Sequence, residues 1–220
     1  HYSYGGKYSL TFTLRADGST KFGSGSKWGF FPGVAGRWNV SDEGFFQALK
    51  PTINLFAIRA SWGITGNESA ISQNSQYNTY SKNGSYNGVL AMTPDALRLT
   101  TIKWEKTTSW NLGFNLNLFE FDLLQFDLNI YKRRTTDLLN SNVSIPSYTG
   151  FKTLSAANVG AVNNEGWDLY VNNGRLFKTG KFYMNFRFNI AQTINTITDM
   201  DATVLASFNE PFNYENLSVM

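Results

Sequence analysis

Apolar and polar residues alternate with a period of two between residues 104 and 131, and this pattern constrains the fold more than any other feature of the chain. From Trp104 to Leu118 the even-numbered positions are mostly apolar and the odd-numbered positions mostly polar. After a short turn at 119–122 the alternation resumes, and its apolar members are Leu124, Phe126, Leu128 and Ile130. Because successive side chains on a strand point to opposite faces, the segment predicts a long β-hairpin with one apolar face.

Both arms of this hairpin are long for a soluble protein. Strands of soluble domains usually run about 5–6 residues, whereas a tilted strand needs roughly 9–11 residues to cross the hydrocarbon of a bilayer. A soluble β-sandwich also alternates, because its apolar face packs on a second sheet. Alternation alone therefore leaves a membrane barrel and a sandwich open.

Composition favours the membrane barrel. Aromatic residues make up 16% of the 220 residues and charged residues also 16%, below the usual ~25% charge of soluble domains. The mean hydropathy is −0.28, and no apolar run approaches the ~18 residues of a membrane helix. This combination is typical of a barrel in which only alternate residues meet lipid. The net charge of +3 comes from scattered Lys and Arg, so we expect no nucleic-acid surface.

The sequence lacks the residues that several kinds of chemistry require. The chain has no Cys, and its only His is His1, which leaves disulfides, Cys-based metal sites and His-dependent catalysis without parts. We therefore expect no catalytic residue, no metal site and no cofactor, and interpret the protein as not an enzyme. No signal peptide opens the chain. If the protein is exported, we therefore expect these 220 residues to be an internal piece of it.

Further segments show the same alternation, and together with the hairpin arms they give seven strands. They predict an all-β fold, an antiparallel transmembrane β-barrel segment of about seven long strands. The predicted strands are 8–17, 28–41, 53–66, 104–118, 123–131, 161–173 and 182–190. Phe30, Phe31 and Pro32 interrupt the second strand, and since proline cannot donate a ladder hydrogen bond we expect a bulge or a local edge there.

The connections between these strands differ in length at the two ends of the sheet. Residues 42–52, 119–122 and 174–180 are short connections at one end, whereas 67–102 and 136–159 are long polar loops at the other. The connection 18–27 belongs to the long-loop end and is short for it, and 196–220 is a polar stretch without a closing strand. Outer-membrane barrels have short periplasmic turns and longer extracellular loops, and a sandwich has no reason to sort its loops in this way.

Charge is sorted between the two faces. On the apolar faces Lys106, Lys132 and Glu165 lie only near the long-loop ends, where a charged head can reach the interface. A lipid-facing Arg or Lys at mid-bilayer costs roughly 2–4 kcal/mol, so this sorting favours lipid contact. We predict that the polar faces line a hydrated lumen. The lumen-facing candidates are Arg15, Arg37, Arg59, Asn111, Asn115, Asp127, Asn129, Asp168 and Arg187.

Aromatic residues gather near the strand ends and in one loop. Those predicted to form girdles are Trp28, Trp62, Trp104 and Tyr131 at the outer ends, with Trp38 and Phe121 at the inner ends. Tyr77, Tyr80 and Tyr86 lie in the long loop 67–102 and are predicted to stack on sugars. The alternative for these tyrosines is an ordinary polar extracellular loop.

Short motifs spread from Tyr8 to about Ile190 resemble the SusC/RagA family of TonB-linked outer-membrane transporters. The motifs occur in the family's order, which makes the combination specific although each one alone is weak. They are Arg15-Ala16-Asp17-Gly18-Ser19, Lys21-Phe22-Gly23, Trp28-Gly29-Phe30-Phe31-Pro32 with Trp38, Ile58 to Asn67, Lys103-Trp104-Glu105-Lys106-Thr107, Tyr131-Lys132-Arg133, Thr136-Asp137-Leu138-Leu139, Asn158-Val159-Gly160 and Asn164-Glu165-Gly166. The family more often has Tyr at the position of Trp62.

The resemblance implies a barrel of about 22 strands whose lumen is plugged by a separate domain. It implies import of glycan or peptide fragments across the outer membrane of a Gram-negative bacterium, energised by TonB and capped by a SusD-like surface lipoprotein. This lipoprotein lid is the other contact predicted for Tyr77, Tyr80 and Tyr86. Seven strands are too few for a closed bacterial barrel, so we expect residues 1–220 to be a late-middle part of the barrel. The plug, the TonB-contacting segment and the remaining strands are expected outside it, and pairing of two transporter copies stays open.

Two alternatives remain at this point. One is a passive or assembly-related outer-membrane barrel without TonB coupling, and the other is a secreted β-sandwich that binds carbohydrate. A sandwich would require Phe126, Leu128, Phe186 and Phe188 to pack against a second sheet of the same chain.

Overall fold

The computed structural model describes residues 1–23, 25–98, 101–119, 122–179 and 182–200, which form an all-β structure. In chain order the strands are β1 (Tyr2–Tyr4), β2 (Tyr8–Gly18), β3 (Trp28–Asn39), β4 (Ile53–Asn67), β5 (Tyr80–Tyr86), β6 (Val89–Pro94), β7 (Ala96–Leu97), β8 (Glu105–Leu118), β9 (Leu124–Thr136), β10 (Leu139–Ser144), β11 (Thr153–Asn158), β12 (Gly160–Thr179) and β13 (Phe182–Met200). Single-turn 3-10 helices occupy Val40–Asp42, Gly44–Phe46 and Ser147–Thr149. No helix among the described residues is long and apolar enough to cross a bilayer.

Eight strands form one antiparallel sheet in the order β1-β2-β3-β4-β8-β9-β12-β13. Neighbours in this sheet are also successive along the chain once the outer loops are set aside, as in an up-and-down barrel wall. The seven predicted long strands are confirmed, and the sheet does not close on itself within the described residues. The predicted connection 174–180 is wrong as far as Thr179, because β12 continues through it and pairs with β13 up to the pair Thr179–Phe182. β1 was not predicted, because three residues are too short to display a period.

The long loops contain structure that the sequence did not predict. Residues 67–102 hold the two-stranded sheet β5–β6, and β7 pairs in parallel with β11 beside β10. β13 continues to Met200, paired with Gly160 of β12, where a polar loop was predicted from 196. Backbone pairing with β12 extends the strand there, although its side chains no longer alternate. Residues 201–220 lie outside the described part of the chain.

Pro32 marks a local edge rather than a bulge. The register between β2 and β3 is unbroken from the pair Tyr8–Trp38 to the pair Gly18–Trp28. The ladder between β3 and β4 begins only at Gly33–Gly63, next to the residue that lacks an N–H. A cleft of about 520 Å³ lies at this divergence.

The apolar face of the main sheet is exposed. Phe12 is 69% exposed, Leu14 75% and Trp110 58%. Phe186 and Phe188 are also exposed, and the buried hydrophobic cluster of the described residues contains neither. The packing against a second sheet that a sandwich requires is therefore not formed, and the apolar face is left for another apolar medium.

From β4 to β12 the outer limit of the apolar face runs obliquely across the strands. On β4 the last apolar residue of this face is Ile64, whereas on β12 it is Trp167, which is aligned through Ile130 and Leu112 with Ala60 of β4. The limit therefore moves by four residues (64 minus 60), ~13 Å of strand, over three strand spacings of ~4.8 Å. These values give a tilt of roughly 43°, close to the 35–45° of membrane barrels.

A hydrophobic cluster joins the connections at the long-loop end. Trp104 is at its centre, 6% exposed, with its indole N–H donated to the carbonyl oxygen of Ser26 at 2.9 Å. The ring centroids of Phe22 and Phe31 lie 4.6 and 5.6 Å from that of Trp104. The other buried members are Ile71, Ile102, Leu139 and Ala156. The prediction that Trp104 belongs to a lipid-facing girdle is thus wrong, because the indole is enclosed by the loops, and Phe121 lies outside the described residues.

The Glu43 carboxylate ties together the connections at the short-loop end. It accepts hydrogen bonds from the Tyr8 hydroxyl, from the Lys7 ammonium at 3.0 Å and from the Trp38 indole at 3.2 Å. These donors, with Tyr8 first, hold the pKa of Glu43 below its usual value, since hydrogen bonds to a carboxylate favour its charged form. Asn39 adds a bond to the Gly6 carbonyl at 2.9 Å.

Replacing Leu112 by Arg is expected to lower the free energy of unfolding of the vesicle-inserted protein by roughly 2 kcal/mol, because the charge enters the apolar band. The matched control is Asn111→Arg, one residue away on the polar face, which should fold almost as the wild type. The measurement is denaturant unfolding of the full-length protein that carries this segment, with heat-modifiable gel migration as the folding check. Equal losses for the two variants would contradict the assignment of the faces.

Glu43→Gln is expected to lower stability at pH 7, and the deficit should shrink in acid. A carboxylate with a lowered folded-state pKa contributes stability above its unfolded pKa, and this is lost as the pH falls through the folded value. The measurement is the thermal unfolding midpoint of the full-length protein at pH 7 and at about pH 3. Asp42→Asn is the control, since among the described residues the ion-pair partner of Asp42 is Lys50, at 3.6 Å on the surface. A pH-independent deficit would refute the role of the charge.

Candidate functional site: the polar face of the sheet

Five of the nine candidate residues meet on the polar face, across β4, β8, β9 and β12. The register aligns Arg59 of β4 with Gly113 of β8, Asn129 of β9 and Asp168 of β12. The next polar-face row aligns Asn115 with Asp127. A period of two on each strand and an unbroken register between strands are what place these side chains side by side.

Charged and amide groups form a connected hydrogen-bond network in these two rows. The Arg59 guanidinium donates to Asp127 Oδ1 at 2.8 Å and to Asn129 Oδ1 at 3.0 Å. The Asp127 carboxylate also accepts from Asn115 at 2.8 Å, and Asn129 donates onward to Asp168 at 2.9 Å. Arg59 and Asp127 are each about one-third exposed, so water reaches the network and the ion pair contributes about 1 kcal/mol or less.

A glycine makes this network geometrically feasible. Arg59 spans β8 to reach β9, and Gly113 is the residue that it crosses. A Cβ at Gly113 would lie 3.0 Å from Arg59 Nη2 and 2.9 Å from Asn129 Oδ1, closer than ordinary contacts. The missing side chain at 113 thus leaves room for the guanidinium.

A second crossing of this kind links β9 to β13. Tyr131 is aligned with Gly166 of β12, and its hydroxyl lies 2.6 Å from the Thr193 hydroxyl on β13. A Cβ at Gly166 would lie 2.7 Å from the Tyr131 hydroxyl. Sequence reasoning missed this contact and placed Tyr131 in an aromatic girdle, although its odd-numbered position already indicated the polar face.

The remaining four polar-face candidates stand apart from the network. Arg15 pairs with Asp17 of its own strand at 2.7 Å, and Arg37 donates to Asn39 at 2.8 Å. Asn111 lies in the row of Ser61 and Tyr131. Arg187 is exposed on β13 opposite Asn172.

The three loop tyrosines are exposed, and the hairpin β5–β6 carries two of them. Tyr80 begins this hairpin, with its ring centroid 6.5 Å from that of Phe151, and Tyr86 lies beside its turn, 84% exposed. Tyr77 precedes the hairpin and Tyr148, which the sequence analysis did not select, is exposed in the loop 145–152. Their exposure leaves the aromatic faces free for contact with another molecule.

The outer loops are fixed to the strand ends by polar contacts. Glu105 accepts from the Asn67 amide and from the backbone N–H of Leu139, each at 2.9 Å. The Asn158 side chain bonds both backbone groups of Lys103, at 2.9 and 3.0 Å, and the Asp137 carbonyl at 2.8 Å. These contacts hold loop 137–159 against the start of β8.

Within the described residues, no group of three or more His, Asp or Glu side chains is placed to hold a metal ion. The polar face instead presents guanidinium, carboxylate, amide and hydroxyl groups in rows. Such a surface can exchange hydrogen bonds with a polar, hydrated ligand.

A tilted antiparallel sheet with an exposed apolar face and a hydrogen-bonding polar face is a segment of a transmembrane β-barrel. A family model described as TonB dependent receptor-like, beta-barrel matches residues 1–215. The chain belongs to this family of TonB-dependent receptor barrels.

Curated relatives agree with this membership. TonB-dependent receptor P39 of Formosa agariphila is 35% identical over 199 residues, which are 90% of this chain and 19% of the relative. TonB-dependent receptor SusC of Bacteroides thetaiotaomicron is 32% identical over 209 residues, 91% of this chain and 20% of SusC. The chain thus spans about one-fifth of the length of these relatives.

Solved structures share the fold. The structure of the RagAB peptide transporter aligns with a TM-score of 0.78 and 24% identity, covering 88% of this chain and 21% of that one. A closed-closed state of the RagAB peptide importer gives a TM-score of 0.79 at 22% identity. These likenesses establish the same strand arrangement in this chain.

Gly113→Val is expected to displace Arg59 from Asp127 and to cost about the free energy of the ion pair, ~1 kcal/mol. In an Arg59→Ala background the same substitution should cost less, because the clash has been removed. The unfolding free energies of the two single variants and the double variant of the full-length protein give this coupling. The control is Gly36→Val, where an added Cβ meets nothing closer than 3.9 Å. Strict additivity of the two substitutions would contradict the crossing.

Proposed function

We propose that this chain forms part of the wall of an outer-membrane active importer of a Gram-negative bacterium, energised by TonB. The polar face lines the lumen and the apolar face meets lipid. The observation that carries this proposal is the oblique limit of the apolar face, because a tilt of roughly 43° is what a membrane barrel requires of its strands. The connection 19–27 and the loops 68–104 and 137–159 then lie on the extracellular side.

The lumen wall in this proposal is a hydrated surface on which polar substrates exchange hydrogen bonds. Arg59, Asn115, Asp127, Asn129 and Asp168 form its central patch, because their network is partly exposed on the polar face. The remaining candidates, Arg15, Arg37, Asn111 and Arg187, form the wall around it. A plug domain and the other strands of the barrel belong to parts of the protein beyond this segment.

The proposed substrates are glycan or peptide fragments. Support comes from membership of the receptor family, from the relative named SusC and from the likeness to the RagAB peptide transporter. Tyr77, Tyr80 and Tyr86 would meet such a substrate or a SusD-like surface lipoprotein at the extracellular side, since exposed aromatic rings stack on apolar faces of sugars and side chains. The protein carries out binding and gating rather than catalysis, and a homodimer of the transporter remains an open proposal.

A passive barrel is the second candidate function, and it differs in energy coupling. The secreted sandwich is disfavoured by the exposed apolar face, which no second sheet of the described residues covers. The upstream sequence of the same reading frame separates the first two candidates, because a plug with a TonB-contacting segment belongs only to the active importer.

Import of labelled glycan or peptide fragments by cells producing the full-length protein is expected to stop when TonB is deleted. A passive barrel would import at the same rate in both strains. Asp127→Ala and Arg59→Ala should lower the import rate without lowering the amount of heat-modifiable protein in the outer membrane, since the network lies on the hydrated face. Lys50→Gln, in the short connection before β4 and paired with Asp42 on the surface, is the control. Cleavage of the fragments by the purified protein would contradict the non-enzymatic assignment.

A further inference from the structure

An ion pair lies on the apolar face, at the outer edge of its hydrophobic part. Lys132 Nζ lies 2.5 Å from Glu165 Oε1, and both side chains are about half exposed. The two residues are register partners on β9 and β12. They are the first residues beyond the oblique limit of the apolar band, because Ile130 and Trp167 precede them on the same face. The pair therefore lies at the level where acyl chains give way to headgroups.

An apolar groove of about 1040 Å³ runs along the same face and ends at this ion pair. Its lining includes Gly36 and Ala60, which form the floor of the groove because they have little or no side chain. Trp38, Trp62, Trp110 and Trp167 also line it, and the rings of Trp62 and Trp110 lie 6.0 Å apart. Small residues between large aromatic ones leave a channel of the kind that a hydrocarbon chain fills.

Two more cations lie farther out on this face. Arg134 is two residues beyond Lys132 on β9, and Lys106 of β8 is opposite Thr136. The described residues place no carboxylate within 4.0 Å of either cation. Asp137 and Asp199 line a depression with Arg134. Glu165 occupies one side of the Lys132 ammonium, which has three N–H donors, so further donors stay available to an acceptor.

We propose that the groove and Lys132 bind a phosphorylated lipid of the outer leaflet, with an acyl chain along Gly36 and Ala60 and a phosphate at Lys132. The inference rests on the proposed function, since it requires this face to meet the membrane. Glu165 tunes the site: its carboxylate competes with the phosphate for the ammonium. The Lys132 ammonium lies at the end of the groove. A lipid whose acyl chain fills the groove would therefore place its phosphate beside this ammonium.

Substitutions at the two partners should act in opposite directions. Lys132→Gln is expected to weaken binding of bis-phosphorylated lipid A about fivefold, the effect of one basic residue at a membrane surface. Glu165→Gln should strengthen it, because the ammonium is released. A purely structural ion pair would give losses for both variants. Ala60→Phe fills the groove without changing the charge and should also weaken binding, and since Ala60 is exposed the variant can fold.

The experiment is native mass spectrometry of the full-length protein in mild detergent, titrated with bis-phosphorylated lipid A or with its phosphatase-treated product. The control is Lys82→Gln in the β5–β6 hairpin, which removes a positive charge far from the groove and should bind as the wild type. Competition by millimolar inorganic phosphate without any effect of Ala60→Phe would show capture of free phosphate rather than of a lipid, and would overturn the inference.

Two results separate this inference from the proposed function. If the wild-type protein shows heat-modifiable migration but binds phosphorylated and dephosphorylated lipid equally, the lipid site is refuted and the barrel stands. If the protein is soluble without detergent and shows no heat-modifiable migration, the barrel assignment fails and the lipid site fails with it.

Discussion

The structure depends on the need to pair every backbone N–H and C=O group where the chain meets hydrocarbon. An unpaired backbone group in lipid costs several kcal/mol, which leaves a continuous antiparallel ladder as the solution for a chain of strands. The register from β2 to β13 meets this need in the interior of the sheet and fixes which residues share a face. The apolar exterior, the polar network and the ion pair at Lys132 follow from that register.

Two glycines allow side chains on the polar face to contact residues two strands away. Neighbouring side chains in a sheet usually interact across one strand spacing, yet Arg59 and Tyr131 bond to residues two strands away. Each does so over a glycine of the intervening strand, Gly113 or Gly166. These two bridges connect five of the strands into one polar surface. A larger side chain at either glycine would therefore displace the Arg59 or Tyr131 side chain that crosses it.

The sequence predicted the strands well because period two is a local signal. The seven long strands, their order and the exposed apolar face all follow from alternation and loop length. The clustering of Arg59 with Asp127 did not, because it depends on register between strands that are 68 residues apart. The aromatic assignment of Trp104 failed for a related reason, since the loops that enclose it carry no periodic pattern. The sequence placed Lys132 and Glu165 near strand ends but did not predict that they pair, because the pairing depends on the register between β9 and β12.

The divergence of β3 from β4 at Gly33 and Gly63 gives a second, independent measure of where water begins. Backbone groups of residues 28–32 that face β4 have no ladder partner there, so they must lie above the hydrocarbon. Side-chain character had set the limit on β4 at Ile64, the very next residue. The cleft at this divergence opens on the polar face, where Thr13, Ser61 and Thr65 are among its lining residues. Backbone amide protons of residues 28–32 that face β4 should exchange with deuterium sooner than those of residues 33–39, which are paired with β4. Local opening of the sheet is therefore expected to begin at this divergence.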